Sequence, residues 1–336
     1  MVLEEVKKAI SDIWLATVGR SLSELNLFRE AEIENGKVKV KLASTALDTA
    51  TREWVKEKVK EKIGAISDLK NIEVEFVEIS PKDLNKIDHV IAIMSGKGGV
   101  GKSLVTALLA MGLRRKGFSV GILDADLTGP SIPKMFGVIS RPSGSESGIL
   151  PVRTAEGILI MSMNLLLPRE DDALIWRGPL ITKAIQQFWN DVLWGNLNFL
   201  LVDLPPGTSD APLTVMQTIP LSGVILVYTP QDLATLIVKK AVKMAQTMKI
   251  PILGVIENMS YFVIPETGKK IELFGASKSD EMTRIAQAPL LAQIPVDPEL
   301  ARLCDEGNIG SYSPQKTEEL TESLLKSLKE RSKEGK

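Results

Sequence analysis

The residue types most able to do chemistry cluster in one run, Ser95-Gly96-Lys97-Gly98-Gly99-Val100-Gly101-Lys102-Ser103. Gly96 followed after four residues by Gly101-Lys102-Ser103 is the spacing of a phosphate-binding loop. Its glycines let backbone N–H groups cradle phosphates, while the lysine and the hydroxyl meet phosphate and Mg²⁺. The flanks agree with that reading. An apolar run of strand length, 90–94, leads into the loop, and apolar residues recur at helical intervals over 103–115. Phosphates would therefore sit at a helix N-terminus.

Two further stretches end in carboxylates. The strand expected at 199–203 finishes in Asp203, followed by Leu-Pro-Pro-Gly207, the arrangement of a Walker B carboxylate and a phosphate-sensing switch. Asp203 is expected to hold Mg²⁺ through water, because that ion keeps several waters and takes few protein carboxylates. The strand expected at 119–123 leads into Asp124-Ala125-Asp126. Carboxylates one residue apart point the same way in an extended chain, so one can lie near Mg²⁺ and the other can orient attacking water. Asp126 is assigned to the water. Asp124 either approaches the metal or caps the next helix. Later, 252–256 reads as a strand running into Glu257-Asn258-Met259, where Asn258 either forms a turn or meets a purine edge, since an amide both donates and accepts.

The elements that must position these groups alternate between strand and helix from residue 88 onward, with strands also expected at 224–228. That pattern predicts a doubly wound, mainly parallel α/β sheet whose ligands collect at the carboxyl ends of the strands. Ahead of it, residues 1–80 read as a small α+β domain. A helix is expected at 3–16, a hairpin at 31–42 turned at Asn35-Gly36, a charged amphipathic helix at 48–63 and a strand at 72–79. Residues 81–87 read as a polar linker and 88–332 as the nucleotide-binding domain. The tail from 317 places Leu320, Leu324, Leu325 and Leu328 on one helical face, fit to dock on that domain.

Composition bounds the rest. The chain has 336 residues, 44% of them apolar and 25% charged, as in an ordinary globular protein. Lys+Arg 41 against Asp+Glu 42 offers no global basic field, so neither nucleic acid nor an anionic membrane is an expected partner. Cys304 is the one cysteine, which excludes an intramolecular disulfide and fits a reducing compartment; the expected location is cytoplasmic. A free cysteine of this kind is expected to act as a small buried hydrophobe. Trp176, Trp189 and Trp194 are expected to anchor the core or a dimer face.

Taken in order, SGKGGVGKS, DADLTGPSIPKMFG, ILPVRTAEGILIMSM, WRGPLITKAIQQFW, VDLPPGTSDAPL and IENMSYF resemble the Mrp/ApbC iron–sulfur cluster carrier ATPases over about residues 87–312. The N-terminal unit is similar to the small iron–sulfur assembly-factor domain fused ahead of such ATPases. The resemblance implies ATP and Mg²⁺ bound at a homodimer interface and delivery of a [4Fe–4S] cluster to recipient apoproteins or assembly proteins. It implies that Lys102 and Ser103 act within one subunit, that Lys97, the first lysine of a deviant Walker A loop, reaches the neighbour's nucleotide, that Asp126 serves hydrolysis, that Asp203 lies on a switch and that Asn258 contacts adenine. Family members commonly carry a Cys-x-x-Cys pair after IENMSYF. This chain has Ile264 and Thr267 there, and neither ligates iron through sulfur. The departure keeps a second reading open: a nucleotide-switched adaptor or positioning ATPase, similar to the MinD/ParA relatives that share the loop and carrying no cluster.

Overall fold

The computed structural model describes residues 2–34, 37–66, 71–126, 131–166, 178–231 and 234–334. They form two compact units. The first comprises Met1–Asp88 together with two excursions of the later chain, Pro142–Arg153 and Gln187–Leu197.

In the first unit the sequence Lys37-Val-Lys-Val-Lys-Leu42 alternates, and the strand Lys37–Ala43 buries Val38, Val40 and Leu42. It pairs antiparallel with Phe28–Glu34 and parallel with Asn71–Val77. A parallel neighbour requires a crossover, and the helix Thr49–Ile66 supplies it, burying Val55, Val59 and Ile63 at helical spacing. The expected first helix is shorter than its apolar pattern, covering Val2–Ser11, because Trp14–Leu15 pairs instead with Arg20–Ser21. The expected hairpin turn at Asn35-Gly36 lies outside the described residues. The stretch 81–87 contains a helical turn, Pro81–Leu84, with both end residues buried. Next to it, Asn85 donates from Nδ2 to the Val192 carbonyl at 3.0 Å and accepts from the Gly195 N–H at 2.9 Å. Those contacts tie one excursion to the unit.

The second unit is built on the mainly parallel sheet that the alternation predicts, flanked by helices. Its strands run in the order Leu159–Ser162, Val120–Asp124, Asn196–Asp203, Lys86–Ser95, Gly223–Tyr228 and Ile252–Val263, and Leu290–Val296 pairs parallel to the last of these. The short Lys270–Ile271 adds to Ile252–Val263 in the antiparallel sense. The sequence reading missed Leu159–Ser162, a short strand within the apolar run 158–161, and Leu290–Val296, whose apolar run is broken by Gln293 and Pro295. Register aligns the strand ends: Asp203 lies beside Asp124, and Asp124 beside Ser162.

The C-terminal helix Pro314–Glu334 packs on the helix Lys102–Arg115 that follows the glycine-rich loop. Leu320 and Leu324 are buried as expected, and Gly112 permits the close approach. A Cβ at Gly112 would lie 1.9 Å from Thr321 Oγ1 and 3.1 Å from the Thr317 carbonyl oxygen. Gly112→Val must therefore push the two helices apart, and we expect a loss of about 1–3 kcal/mol in denaturant unfolding. A variant with the parent midpoint and slope would show that the helices tolerate separation there.

Candidate functional site

The strand Lys86–Ser95 delivers the chain to the loop, and the helix Lys102–Arg115 receives it. The glycines have separate local reasons. Gly99 and Gly101 have φ of 78° and 80°, in the left-handed region that side chains disfavour. Gly96 is fixed by proximity, since a Cβ there would fall 1.9 Å from Ile237 Cγ2. Gly98 and Val100 complete the turn, with Val100 buried. The Gly207 N–H donates to the Ser95 carbonyl at 3.0 Å, so the segment after Asp203 is pinned to the start of the loop.

Lys102 is 6% exposed, and its ammonium lies 2.8 Å from Asp203 Oδ1 and 3.8 Å from Asp126 Oδ2. Asp203 is fully buried. It accepts from Ser103 Oγ at 2.5 Å and from Thr106 Oγ1 at 2.9 Å. Sequence reading found Ser103 but not Thr106. The available signal was spacing, because Thr106 stands one helical turn beyond Lys102 and faces the same way. Asp124 is also buried, accepting from Ser162 Oγ at 3.1 Å and from the Asp126 N–H at 3.2 Å. Ser162 was not anticipated because its strand was not. The structure thus brings Lys102, Ser103, Asp124, Asp126 and Asp203 together at the carboxyl edge of the sheet. The Ser103 hydroxyl and the three carboxylates are hard oxygen donors beside a phosphate-type loop and its lysine, and together they fit a magnesium–nucleotide pair.

Asn258 and Lys97 each have a partner within the chain. The Asn258 amide is buried and donates from Nδ2 to the Val100 carbonyl at 2.8 Å, so it braces the loop from beneath. Lys97 Nζ donates to Gln231 Oε1 within the same chain. The residues 127–130, which begin LTGPSIP, and Trp176-Arg177 of WRGP lie outside the described residues. Of the other tryptophans, Trp194 is fully buried and Trp189 partly so. His89 stacks on Phe199.

Glu257, beside Asn258, is a buried carboxylate that sequence reading passed over. It accepts from Ser260 Oγ at 2.5 Å, Ser277 Oγ at 2.8 Å, the Lys278 N–H at 2.8 Å and Gln293 Nε2 at 2.9 Å. Burial alone would push its carboxyl up, but the donors outweigh burial and hold it below its ordinary value. Cys304, in the helix Pro298–Asp305, is partly buried; burial and then Asp305 push its thiol up to about 11. It stays protonated near neutrality and is a poor thiolate ligand. Among the described residues no cluster of three or more His, Cys, Asp or Glu is arranged to hold a metal ion. No helix among them is long and apolar enough to cross a membrane.

Known proteins match this architecture. The family model described as NUBPL iron-transfer P-loop NTPase matches residues 86–330, and one described as iron-sulfur cluster assembly protein matches residues 3–76. An iron-sulfur cluster carrier protein of Clostridium perfringens is 44% identical over 234 residues, covering 67% of this chain and 82% of its own. One from Deinococcus radiodurans is 37% identical over 305 residues, covering 89% and 86%. Among solved structures, a nucleotide-binding protein of Archaeoglobus fulgidus in complex with ADP is 45% identical. It covers 71% of this chain and 94% of its own, with a TM-score of 0.64.

One pH dependence follows from the site. Burial first, then Asp203 and Asp126, push the Asp124 carboxyl up to about 8, against the lowering effect of Lys102 and Ser162. Unfolded, the group ionises near 3.8. Between those values the folded chain holds a proton that the unfolded chain has lost, so rising pH weakens the fold across that window. Asp124→Asn should flatten the fall in Tm between about pH 4 and 8. A variant with the parent slope would show that another group carries the titration.

Proposed function

The chain belongs to the family of iron-transfer P-loop NTPases, and from that membership we propose that it is a Mg²⁺-dependent ATPase acting as a homodimer in iron–sulfur cluster delivery. One observation carries the ATPase half: a buried lysine at the loop-to-helix junction, held between Asp203 and Asp126. Backbone N–H groups of 96–103 bind the phosphates, and Lys102 exchanges its carboxylate contact for phosphate oxygens. Ser103 and Asp203 hold Mg²⁺, with Asp124 beside them; the ion supplies charge neutralisation on the phosphates. Asp126 orients the attacking water and accepts its proton. Asn258 fixes the loop and so the adenine side of the pocket, and Lys97 leaves Gln231 to reach the nucleotide of a second copy. The location that fits one partly buried cysteine and these relatives is the cytoplasm.

Lys102→Ala should abolish tight ATP binding in equilibrium measurements, because it removes the positive charge that meets the β and γ phosphates. Asp126→Asn should leave binding intact and slow turnover by about 10²–10⁴-fold. Parent turnover in the second variant would remove Asp126 from the mechanism.

The cargo half of the reading must accommodate the donors present. Ile264 and Thr267 carry no thiol, and Cys304 supplies one thiol per subunit and so two per dimer, too few for an all-cysteine [4Fe–4S] cluster held by this chain alone. Delivery would then use thiolates of a donor or recipient protein, with this chain providing the nucleotide-driven contact. The same observation favours the second reading, an adaptor without cargo. Anaerobic reconstitution with iron and sulfide should yield no stoichiometric [4Fe–4S] cluster on the purified chain. About four irons per dimer, lost on Cys304→Ser, would instead make Cys304 a ligand.

A further inference from the structure

Past its first turn, the helix Lys102–Arg115 is apolar where it is buried. Val105 and the run 107–111 are all buried, and Thr106, which stands between them, is 0% exposed. A hydroxyl in such surroundings costs free energy unless it has a partner. Two acceptors lie within its reach: the Lys102 carbonyl at 3.1 Å and Asp203 Oδ1 at 2.9 Å. The hydroxyl carries one proton, so it serves one of them at a time. The bond to the carbonyl four residues back is the local option of any helical threonine. The carboxylate is a different matter, since it comes from a strand 97 positions later in the chain.

Among the described residues the Asp203 carboxylate has three side-chain partners. Ser103 Oγ donates to Oδ2 at 2.5 Å, while Lys102 Nζ at 2.8 Å and Thr106 Oγ1 share Oδ1. Two of the three are groups that a magnesium–nucleotide pair takes for itself, because the ammonium turns to phosphate oxygens and the serine hydroxyl to the ion. Thr106 has no such alternative. Fully buried and one helical turn beyond Lys102, it touches no ligand. Departure of the ammonium also removes its competitor for Oδ1.

We propose that Thr106 is a positioning residue for magnesium: it holds Asp203 by Oδ1 while Lys102 and Ser103 engage the nucleotide, so that Oδ2 stays directed at the place of Ser103 and the ion beside it. A carboxylate released by its other donors can turn about its side-chain torsions, and each turn away from the ion weakens the site. Partners that orient a metal's ligands in this way are worth about 10–100-fold in metal affinity. This role rests on the magnesium–nucleotide reading above and names the group that keeps its acidic ligand in place.

The test reads magnesium affinity, with turnover left aside. The full chain is titrated with a non-hydrolysable ATP analogue in EDTA and at a series of Mg²⁺ concentrations, and the Mg²⁺ concentration giving half of the gain in analogue affinity is determined. Thr106→Val keeps the shape and removes the donor, and should raise that concentration by about 10–100-fold. Thr106→Ser keeps the donor and should return it to near the parent value. Thr106→Ala sets no methyl group against the carboxylate and should show the same loss as valine, which covers a valine variant that does not fold. Valine or alanine variants with the parent midpoint, whatever their Tm, would leave Thr106 a helix threonine bonded to the Lys102 carbonyl and overturn the proposal. A serine variant as impaired as the valine one would do the same, because the hydroxyl would then not be the group that matters. A parent chain whose analogue affinity is equal in EDTA and in Mg²⁺ would overturn the magnesium reading itself, and this role with it.

Discussion

The ammonium of Lys102 sits in a nearly water-free space with two carboxylates within 4 Å and a third, Asp124, on the adjacent strand. In such surroundings neither sign of charge is tolerable alone, so each group exists there only because the others do. Much of the second unit can be read as what that arrangement demands. Three strands must end in register, because a slip of one residue would turn Asp124 or Asp203 to the other face of the sheet. The helix after the loop must begin at Lys102, so that Ser103 and Thr106 both reach Asp203. The carboxyl pushed toward its neutral form is Asp124, by burial first and then by the neighbouring Asp203, against the Ser162 hydroxyl that favours its charge.

Much of this was legible in the amino-acid order because local chemistry wrote it there. The glycines at 99 and 101 are needed for a left-handed backbone whatever surrounds them, and the aspartates end their strands where apolar runs stop. The supporting groups were not legible, for a consistent reason. Thr106, Ser162 and Gln231 are common residue types whose significance comes from partners 97, 38 and 134 positions away. Glu257 was hidden similarly: its donors Ser277 and Gln293 lie 20 and 36 residues later. The excursions Pro142–Arg153 and Gln187–Leu197 carry no local signal that assigns them to the first unit.

The chain carries its nucleotide chemistry with no thiol at 264 or 267, in the turn between Ile252–Val263 and Lys270–Ile271. The left-handed φ at Met259 costs stability, and such features persist when the geometry they fix is used, whereas at Glu257 the surrounding donors offset the cost of burial. Ile264 and Thr267 are suited to packing and turn formation, with the Thr267 hydroxyl accepting from the Lys269 N–H at 3.3 Å. Position, more than ligand chemistry, is what these residues supply.

The contact at Gly112 bears on how the protein is made. The loop helix and the helix that covers it are separated by about two hundred residues, among the longest closures a chain of this size can have. During synthesis the strands around the loop emerge first, and the face of Lys102–Arg115 bearing Gly112 waits uncovered until Pro314–Glu334 has left the ribosome. The loop helix acquires its cover only after that later element has docked. Until then its apolar face is surface of the kind chaperones bind, and a chain lacking Pro314–Glu334 would present it permanently.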